Sequence, residues 1–344
     1  MAKDQQMKLS ERIAVLIKLG EHLRGEDEYL RAIMHRAHFH NKWFAIENQE
    51  LAINAIAEKF LDAQKLKQWL DTYHIDDNIQ PQRIGLVLAG NIPLVGFHDV
   101  LCVFAAGHRA KIKLSDKDQY LLPYLLQLLE KLDARTKYYF EIVQFLKNYD
   151  AVIATGSNNS ARYFEAYFGK VPNIIRKNRN AIAVLTGDET QKELEALGTD
   201  IFQYYGLGCR NVSKIYIPQG YDFQSLMEVL HEFRKIVLND KYKNNFDYNY
   251  SLYILNRIPH LANSCIILTE ESSLQSRIAG LHYEFYDNLE SVEKEIQARE
   301  AEIQCVVAKD NILTTKTLPF GKAQEPELWD YADGVDTMQF LLSL

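Results

Sequence analysis

The chain has 344 residues, 47% of them apolar and 25% charged, with a formal net charge of −7. This length and balance fit a globular protein with room for two domains, and the acidic sum gives no electrostatic case for nucleic acid. No apolar run approaches the roughly 20 residues of a membrane span, and charges interrupt the apolar part of the N-terminus, so neither a span nor a secretory leader is expected.

The first seventy residues read as helical. "SERIAVLIKLGEHL" carries apolar residues at helical spacing behind Ser10, a capping residue type, and "QELAINAIAEKFLDAQKLKQWLDTY" repeats the pattern without Pro or Gly. From Arg83 the period changes. "RIGLVLAG" reads as a strand, "IPLVGFHDVLCVFAAG" as a helix closed by Gly107, "RAKIKLS" as a strand and "KDQYLLPYLLQLLEKL" as a helix interrupted early by Pro123. "FEIVQF" and "DAVIATG" are strands, "NNSARYFEAYFG" a helix, "NAIAVLTG" a strand and "ETQKELEALGTDIFQYYG" a helix. After Cys209 the alternation restarts: "NVSKIYIP" as strand, "DFQSLMEVLHEFRKIVL" as helix and "SCIILT" as strand, continued by "LHYEFYDN", "SVEKEIQARE" and "IQCVVAKD". The tail is loop-like, then a short helix. Strands alternating with helices predict βαβ units and a mainly parallel sheet. The restart places a domain boundary near the cysteine.

Four stretches carry groups suited to chemistry. In "LAGNIPL", Gly90 permits a tight turn and Asn91 stands where a helix is about to begin; its amide could donate into a cleft at the strand ends or merely cap the helix. In "KIKLSDKD", Lys113 and Ser115 close a strand and Asp116 follows, suited to a cofactor ribose or phosphate, although such a lysine is ordinarily just solvated. In "ATGSNN", Gly156 allows close backbone approach and the helix start behind it favours a pyrophosphate. A full G-x-G-x-x-G is missing there, and Ser157 as a plain cap explains the same residues.

The fourth stretch is "YYGLGCRN". Cys209 follows Gly206 and Gly208 and precedes Arg210, surroundings that raise a thiolate fraction. Cys102, Cys265 and Cys305 sit inside apolar runs and read as buried hydrophobes. The four cysteines lack metal-type spacing, which fits free thiols in a cytoplasmic protein without a metal site. His35, His38 and His40 in "HRAHFH" have no accompanying Cys or carboxylate cluster and read as solvated or capping residues. His98 lies in an amphipathic helix, packed or within reach of the cleft. There is no G-x-S-x-G elbow. The aromatic "YKNNFDYNYSLYIL" fits an acyl tunnel, a core or an interface.

In order and spacing these stretches resemble the aldehyde dehydrogenase superfamily over residues 80 to 335, and most closely its acyl-CoA reductase branch, the LuxC type of fatty acid reductase. "LAGNIPL" is similar to the segment with the oxyanion-stabilising Asn, here Asn91. "KLSD" is similar to the segment that binds the adenosine ribose, here Lys113, Ser115 and Asp116. "TGS" resembles the turn beside the pyrophosphate, here Gly156 and Ser157. "GLGC" stands where the superfamily has Gly-Gln-x-Cys, which makes Cys209 the nucleophile, and "LPFG" resembles the Pro-Phe-Gly stretch near the C-terminus.

The resemblance implies a Rossmann-like NAD(P)-binding domain over 76–205, preceded by a helical region over 1–75. A second α/β domain follows over 206–320 with a tail over 321–344, and the active site lies in the interdomain cleft. It implies NADPH or NADH as cofactor, acyl-CoA or another acyl thioester as substrate, an acyl-transfer protein as a candidate partner, and a homo-oligomer. His98 and Arg210 are auxiliary candidates. Two departures stand out. Leu207 replaces the Gln, and between Val171 and Gly187 there is no Glu, whereas aldehyde-oxidising members place there the Glu that activates water. Without a base to hydrolyse it, a thioacyl-enzyme persists, which favours reduction of a thioester over oxidation of an aldehyde. An oxidative aldehyde or semialdehyde dehydrogenase, with Asp188 or Glu189 as the base, and a non-catalytic partner retaining the fold are the alternatives.

Overall fold

The computed structural model describes residues 6–344. Contacts group the chain into two compact units, one formed by residues up to Asn178 together with Pro326–Leu344, the other by Arg179–Glu325.

The first unit opens with four helices, α1 (Leu9–Leu23), α2 (Glu28–His40), α3 (Ile46–Ala55) and α4 (Ala63–Leu70). The apolar spacing of α1 buries Val15, Leu16, Leu19 and Leu23. Its cap is Lys8 and not Ser10, and Glu11 accepts the Lys8 N–H at 2.7 Å. The second apolar stretch is not one helix. A π-turn at Ile56–Phe60 precedes Asp62, whose carboxylate accepts from the N–H groups of Gln64 and Lys65 and starts α4 afresh.

Then come β1 (Arg83–Val87), α5 (Phe97–Ala106), β2 (Arg109–Lys113), α6 (Leu121–Leu132), β3 (Phe140–Ile142), β4 (Ala151–Thr155), α7 (Asn158–Phe168) and β5 (Asn173–Arg176). The five strands are parallel in the order β3-β2-β1-β4-β5. This is the doubly wound, Rossmann-like order, reversing direction between β1 and β4. Gly107 ends α5 in the left-handed conformation at φ 87°, as its sequence position predicts. Pro123 does not interrupt α6: it is the third residue of the helix, where an N–H has no intrahelical acceptor to lose. The N-terminal helices share one core with the sheet, Leu16, Leu19 and Trp69 packing with Ile84, Leu86 and Val103, and the tail residues Leu328, Met338 and Leu341 join them.

The second unit holds β6 (Asn180–Val184), α8 (Gln191–Phe202), β7 (Val212–Pro218), α9 (Phe223–His231), α10 (Asp240–Leu255), β8 (Leu261–Ala262), β9 (Ile267–Glu270), β10 (Gly280–Tyr286), α11 (Leu289–Ala298) and β11 (Ile303–Ala308). Its sheet runs β11-β6-β7-β10-β9-β8, parallel except for the short edge strand β8. The sequence places the change of domain at 205/206. The ladder puts β6 beside β7, so the alternation that restarts after Cys209 continues a sheet already begun. The aromatic-rich stretch forms α10, which buries Tyr242, Phe246 and Asn249 and leaves Tyr248 and Leu255 exposed. The chain returns to the first unit for α12 (Thr337–Leu342), where the buried Arg176 guanidinium donates to Asp99 at 2.6 Å and to the Thr337 hydroxyl at 2.9 Å. No described helix is long and apolar enough to cross a membrane.

Candidate active site

In the first unit, six of the residues singled out from sequence collect at the carboxyl ends of three adjacent strands. Asn91 lies in the loop after β1, Lys113 ends β2 with Ser115 and Asp116 just beyond, and Gly156 and Ser157 follow β4. Because the strand order reverses between β1 and β4, this edge opens the crevice in which doubly wound sheets bind dinucleotides.

The loops here are tightly fitted. A side chain at Gly90 would place its Cβ 2.5 Å from Ser115 Oγ, so the loops after β1 and β2 touch. A Cβ at Gly156 would come within 2.8 Å of Ser160 and Phe164, which lets α7 start directly against the end of β4. Ser157 caps α7, its Oγ accepting the Ser160 N–H at 3.2 Å. Asn91 is not a cap. The helix it was expected to open starts six residues later at Phe97, with Gly96 as N-cap, and Asn91 and Pro93 lie in an irregular loop.

That loop has an anchor the sequence did not single out. Leu94 adopts a left-handed φ of 56°, and its N–H donates to the buried Asp118 carboxylate at 2.9 Å. Burial raises the Asp118 pKa to about 6, against the opposing backbone hydrogen bonds from Leu94 and Leu121. Asp118 lies two residues beyond Asp116, which is itself exposed.

Three histidines singled out from sequence are engaged in hydrogen bonds to backbone carbonyls. The His98 imidazole donates to the Leu328 carbonyl at 2.9 Å and packs among the rings of Phe60, Trp69 and Tyr331. This is a packing role, tying the tail to α5. His38 and His40 donate to the carbonyls of Phe44 and Asp116 at 3.1 Å each. Among the described residues no group of three or more metal-ligating side chains forms.

The four cysteines separate by environment. Cys209 is exposed, Cys305 is half-buried on β11, and Cys102, in the first unit, is buried, as is Cys265. Burial raises the Cys102 thiol well above its ordinary range and pushes Cys265 to about 12. Cys209 occupies the turn Gly208–Asn211 at the amino end of β7, closed by the Asn211 N–H donating to the Gly208 carbonyl at 3.1 Å. The chain reaches it through three successive left-handed residues, Tyr204 (φ 53°), Tyr205 (φ 60°) and Gly206 (φ 72°). For the two tyrosines that conformation costs roughly 1–2 kcal/mol each, a strain of the kind that collects at functional sites. Arg210 donates to the Ala323 carbonyl at 3.4 Å.

Asp188 and Glu189 stand elsewhere. They follow the carboxyl end of β6, whereas Cys209 precedes the amino end of β7, and the two strands are parallel with Ala181 beside Val212 and Val184 beside Tyr216. The length of β6, several rises of about 3.3 Å, therefore separates them from Cys209. Glu189 is also taken up by its own loop, accepting from the Thr186 N–H at 2.7 Å and the Gly187 N–H at 3.1 Å. Asp188 pairs with Lys309 at 2.8 Å.

The doubly wound first sheet with its crevice loops and the mainly parallel second sheet, with the exposed Cys209 at the amino end of β7, make a two-unit α/β fold. No protein-family model matches the chain, and no curated protein matches it in sequence. Solved structures do. Aldehyde dehydrogenase 21 of Physcomitrella patens, solved with succinate, is similar with a TM-score of 0.67 at 14% identity, over 89% of this chain and 74% of that one. An NAD-dependent aldehyde dehydrogenase of Sinorhizobium meliloti gives 0.67 at 12%, over 88% and 70%. An aldehyde dehydrogenase of Bacillus cereus in complex with NAD+ gives 0.65 at 13%, over 89% and 73%. The protein has the aldehyde dehydrogenase fold.

Proposed function

We propose that the protein is an NAD(P)H-dependent reductase that converts an acyl thioester, in the first instance an acyl-CoA, to an aldehyde through a thioacyl-enzyme on Cys209. The observation that carries this reading is the environment of the cysteines: Cys209 is exposed on a strained turn, while Cys102 and Cys265 are buried with raised thiols.

The Cys209 thiolate attacks the thioester carbonyl, forming a C–S bond and an oxyanion, and collapse expels the donor thiolate. Asn91 is assigned the donor role toward that oxyanion by its sequence context; such a donor is worth about 3–4 kcal/mol in other enzymes. A nicotinamide dinucleotide, when bound, supplies a hydride equivalent. The crevice residues fit one: the α7 N-terminus after the close-packed Gly156 suits a pyrophosphate, and Lys113, Ser115 and Asp116 at the end of β2 suit the adenosine ribose. Lys113 beside the ribose would favour the 2′-phosphate of NADPH. The position of Asp188 and Glu189 beyond the far end of β6 supports reduction, because neither stands where it could activate water against a thioacyl group on Cys209.

A second reading, oxidation of an aldehyde to an acid with NAD(P)+, is favoured by the fold neighbours, which include an NAD-dependent enzyme and one solved with the acid product succinate.

The test is NADPH and NADH consumption with a panel of acyl-CoAs, using wild type, Cys209→Ala and Asn91→Ala. Thioester-dependent consumption is expected, abolished in Cys209→Ala and lowered about 10²–10³-fold in kcat in Asn91→Ala. Turnover of aldehydes with NAD(P)+ but of no thioester would transfer the assignment to the oxidative reading. Inactivity in both directions would remove both.

A further inference from the structure

The turn that carries Cys209 and the Pro319–Ala323 loop are anchored at the same place, the carboxyl end of α8. Two polar side chains form the anchor, Asn211 at 3% exposure and Asp200 at 0%. Asn211 closes the turn a second time, its Oδ1 accepting the Gly208 N–H at 2.8 Å. Its amide nitrogen donates to the carbonyls of Asp200 at 3.0 Å and Gln203 at 2.8 Å. Carbonyls that the end of a helix leaves without intrahelical partners are thereby used to hold the turn.

Asp200 holds the other piece. Its carboxylate accepts the Gly321 N–H at 2.6 Å and the Ala323 N–H at 3.0 Å, bonds that span 121 and 123 residues of chain. Gly321, at φ 80°, lies so close to α8 that a Cβ there would come within 3.1 Å of Ala196 Cβ. Arg210, adjacent to Cys209, donates to the carbonyl of Ala323. The turn is therefore fixed from behind by Asn211 and from the side by a loop that Asp200 fixes in its turn.

We propose that Asp200 and Asn211 are positioning residues for Cys209, Asn211 setting the backbone of the nucleophile turn and Asp200 locking the Gly321–Ala323 segment against it. This rests on the assignment of Cys209 as nucleophile. Neither side chain is given contact with substrate; both act by fixing the backbone from which the thiol projects. The charged groups acting on Asp200 are Glu325 and Lys322, while Arg210 reaches the same segment through the Ala323 carbonyl.

The test follows iodoacetamide alkylation of Cys209 across pH in the full chain, peptide by peptide, with Cys102, Cys265 and Cys305 as internal references. The variants are Asn211→Asp, Asp200→Ala and Asp200→Asn. Asn211→Asp keeps an acceptor for Gly208 but sets a carboxylate against two carbonyls, and Asp200→Asn keeps one acceptor of two. The expected result is an alkylation profile displaced by about one pH unit in Asn211→Asp and Asp200→Ala, with partial recovery in Asp200→Asn. Thioester turnover should lose kcat by about 10²-fold with KM little changed. Profiles that superimpose on wild type, with only a lower melting temperature, would overturn the proposal. If the variants do not fold, amide exchange in the wild type decides: Gly208, Gly321 and Ala323 should be protected together, and exchange at Gly321 and Ala323 as fast as at the open turn of Gly220 overturns it. A wild type that turns over no thioester defeats the proposed function while the alkylation profiles still decide the positioning roles.

Discussion

At the scale of single residues, the least expected group is Asp118. Its carboxylate holds the N–H of left-handed Leu94 in the Asn91 loop, and burial raises its pKa to about 6. A carboxyl in the unfolded chain titrates at about 4, so between about pH 4 and 6 the folded state binds more protons. Stability therefore falls as pH rises through that window and is level above it. Asp200, also raised to about 6 mainly by burial, adds the same sign in the same window. Asp118→Asn is expected to remove about half of that combined contribution, read as the difference between variant and wild-type urea unfolding free energies from pH 4 to 7. An unchanged difference across the window would show that Asp118 titrates normally. From sequence, Asp116 was the visible candidate because a strand-end acid suggests a ribose partner. Asp118 was not visible, since its value comes from Leu94, 24 residues away, and from burial that no local pattern announces.

At the scale of elements, one tight joint is the passage from β4 into α7. Gly156 leaves room for Phe164 and Ser160 where any side chain would collide at 2.8 Å. Gly156→Ala is expected to displace the first turn of α7 and to destabilise the protein by about 1–3 kcal/mol. Dinucleotide affinity should fall more than 10-fold by titration of NADPH fluorescence, by analogy with tenfold per about 1.4 kcal/mol. Retained affinity would mean that the α7 N-terminus is not where the pyrophosphate binds. The strands of both sheets were legible from period alone wherever they ran to five residues or more between turn signals, as in β1, β4, β6 and β7, whereas the 16-residue helix α10 was not, because its rings and asparagines mark no single apolar face. The four residues of β5, "NIIR", were not, because an edge strand followed by charges carries too short an apolar alternation. Nor was the start of α5, which the sequence places just after Asn91; the left-handed Leu94 postpones it to Phe97.

At the scale of the whole molecule, the chain leaves its first unit after Asn178 and returns to it at Pro326. The returning segment is part of that unit's core: Leu328, Met338 and Leu341 are 0% exposed, and Tyr331 receives the Trp69 indole N–H at 2.7 Å. Large buried side chains are worth about 2–5 kcal/mol each on truncation, against a total stability of about 5–15 kcal/mol for a typical domain. Deletion of 326–344 is therefore expected to unfold the first unit, seen as loss of its cooperative transition in calorimetry. A truncated protein with an unchanged transition would show that the segment is dispensable. The tail was expected from sequence as an appendage after the second domain, because a loop followed by one short helix gives no sign of the core it completes.

By itself the sequence determined the class of fold, through the alternation of strand and helix periods, and it drew attention to Cys209, through two glycines and an arginine that set it apart from three cysteines in apolar runs. It also identified Asn91, Lys113, Ser115, Asp116, Gly156 and Ser157 as a set. Only the tertiary structure decided that these six share the carboxyl edge of β2, β1 and β4, because strand order is a property of pairing between distant segments. Tertiary structure alone placed Asp188 and Glu189 at the opposite end of a parallel ladder from Cys209, and took up His98 in an aromatic cluster with the tail. It also revealed Asp200 and Asn211. A buried polar residue is defined by the partner it finds, and for Asp200 the partners lie 121 and 123 residues along the chain, beyond the reach of any periodicity.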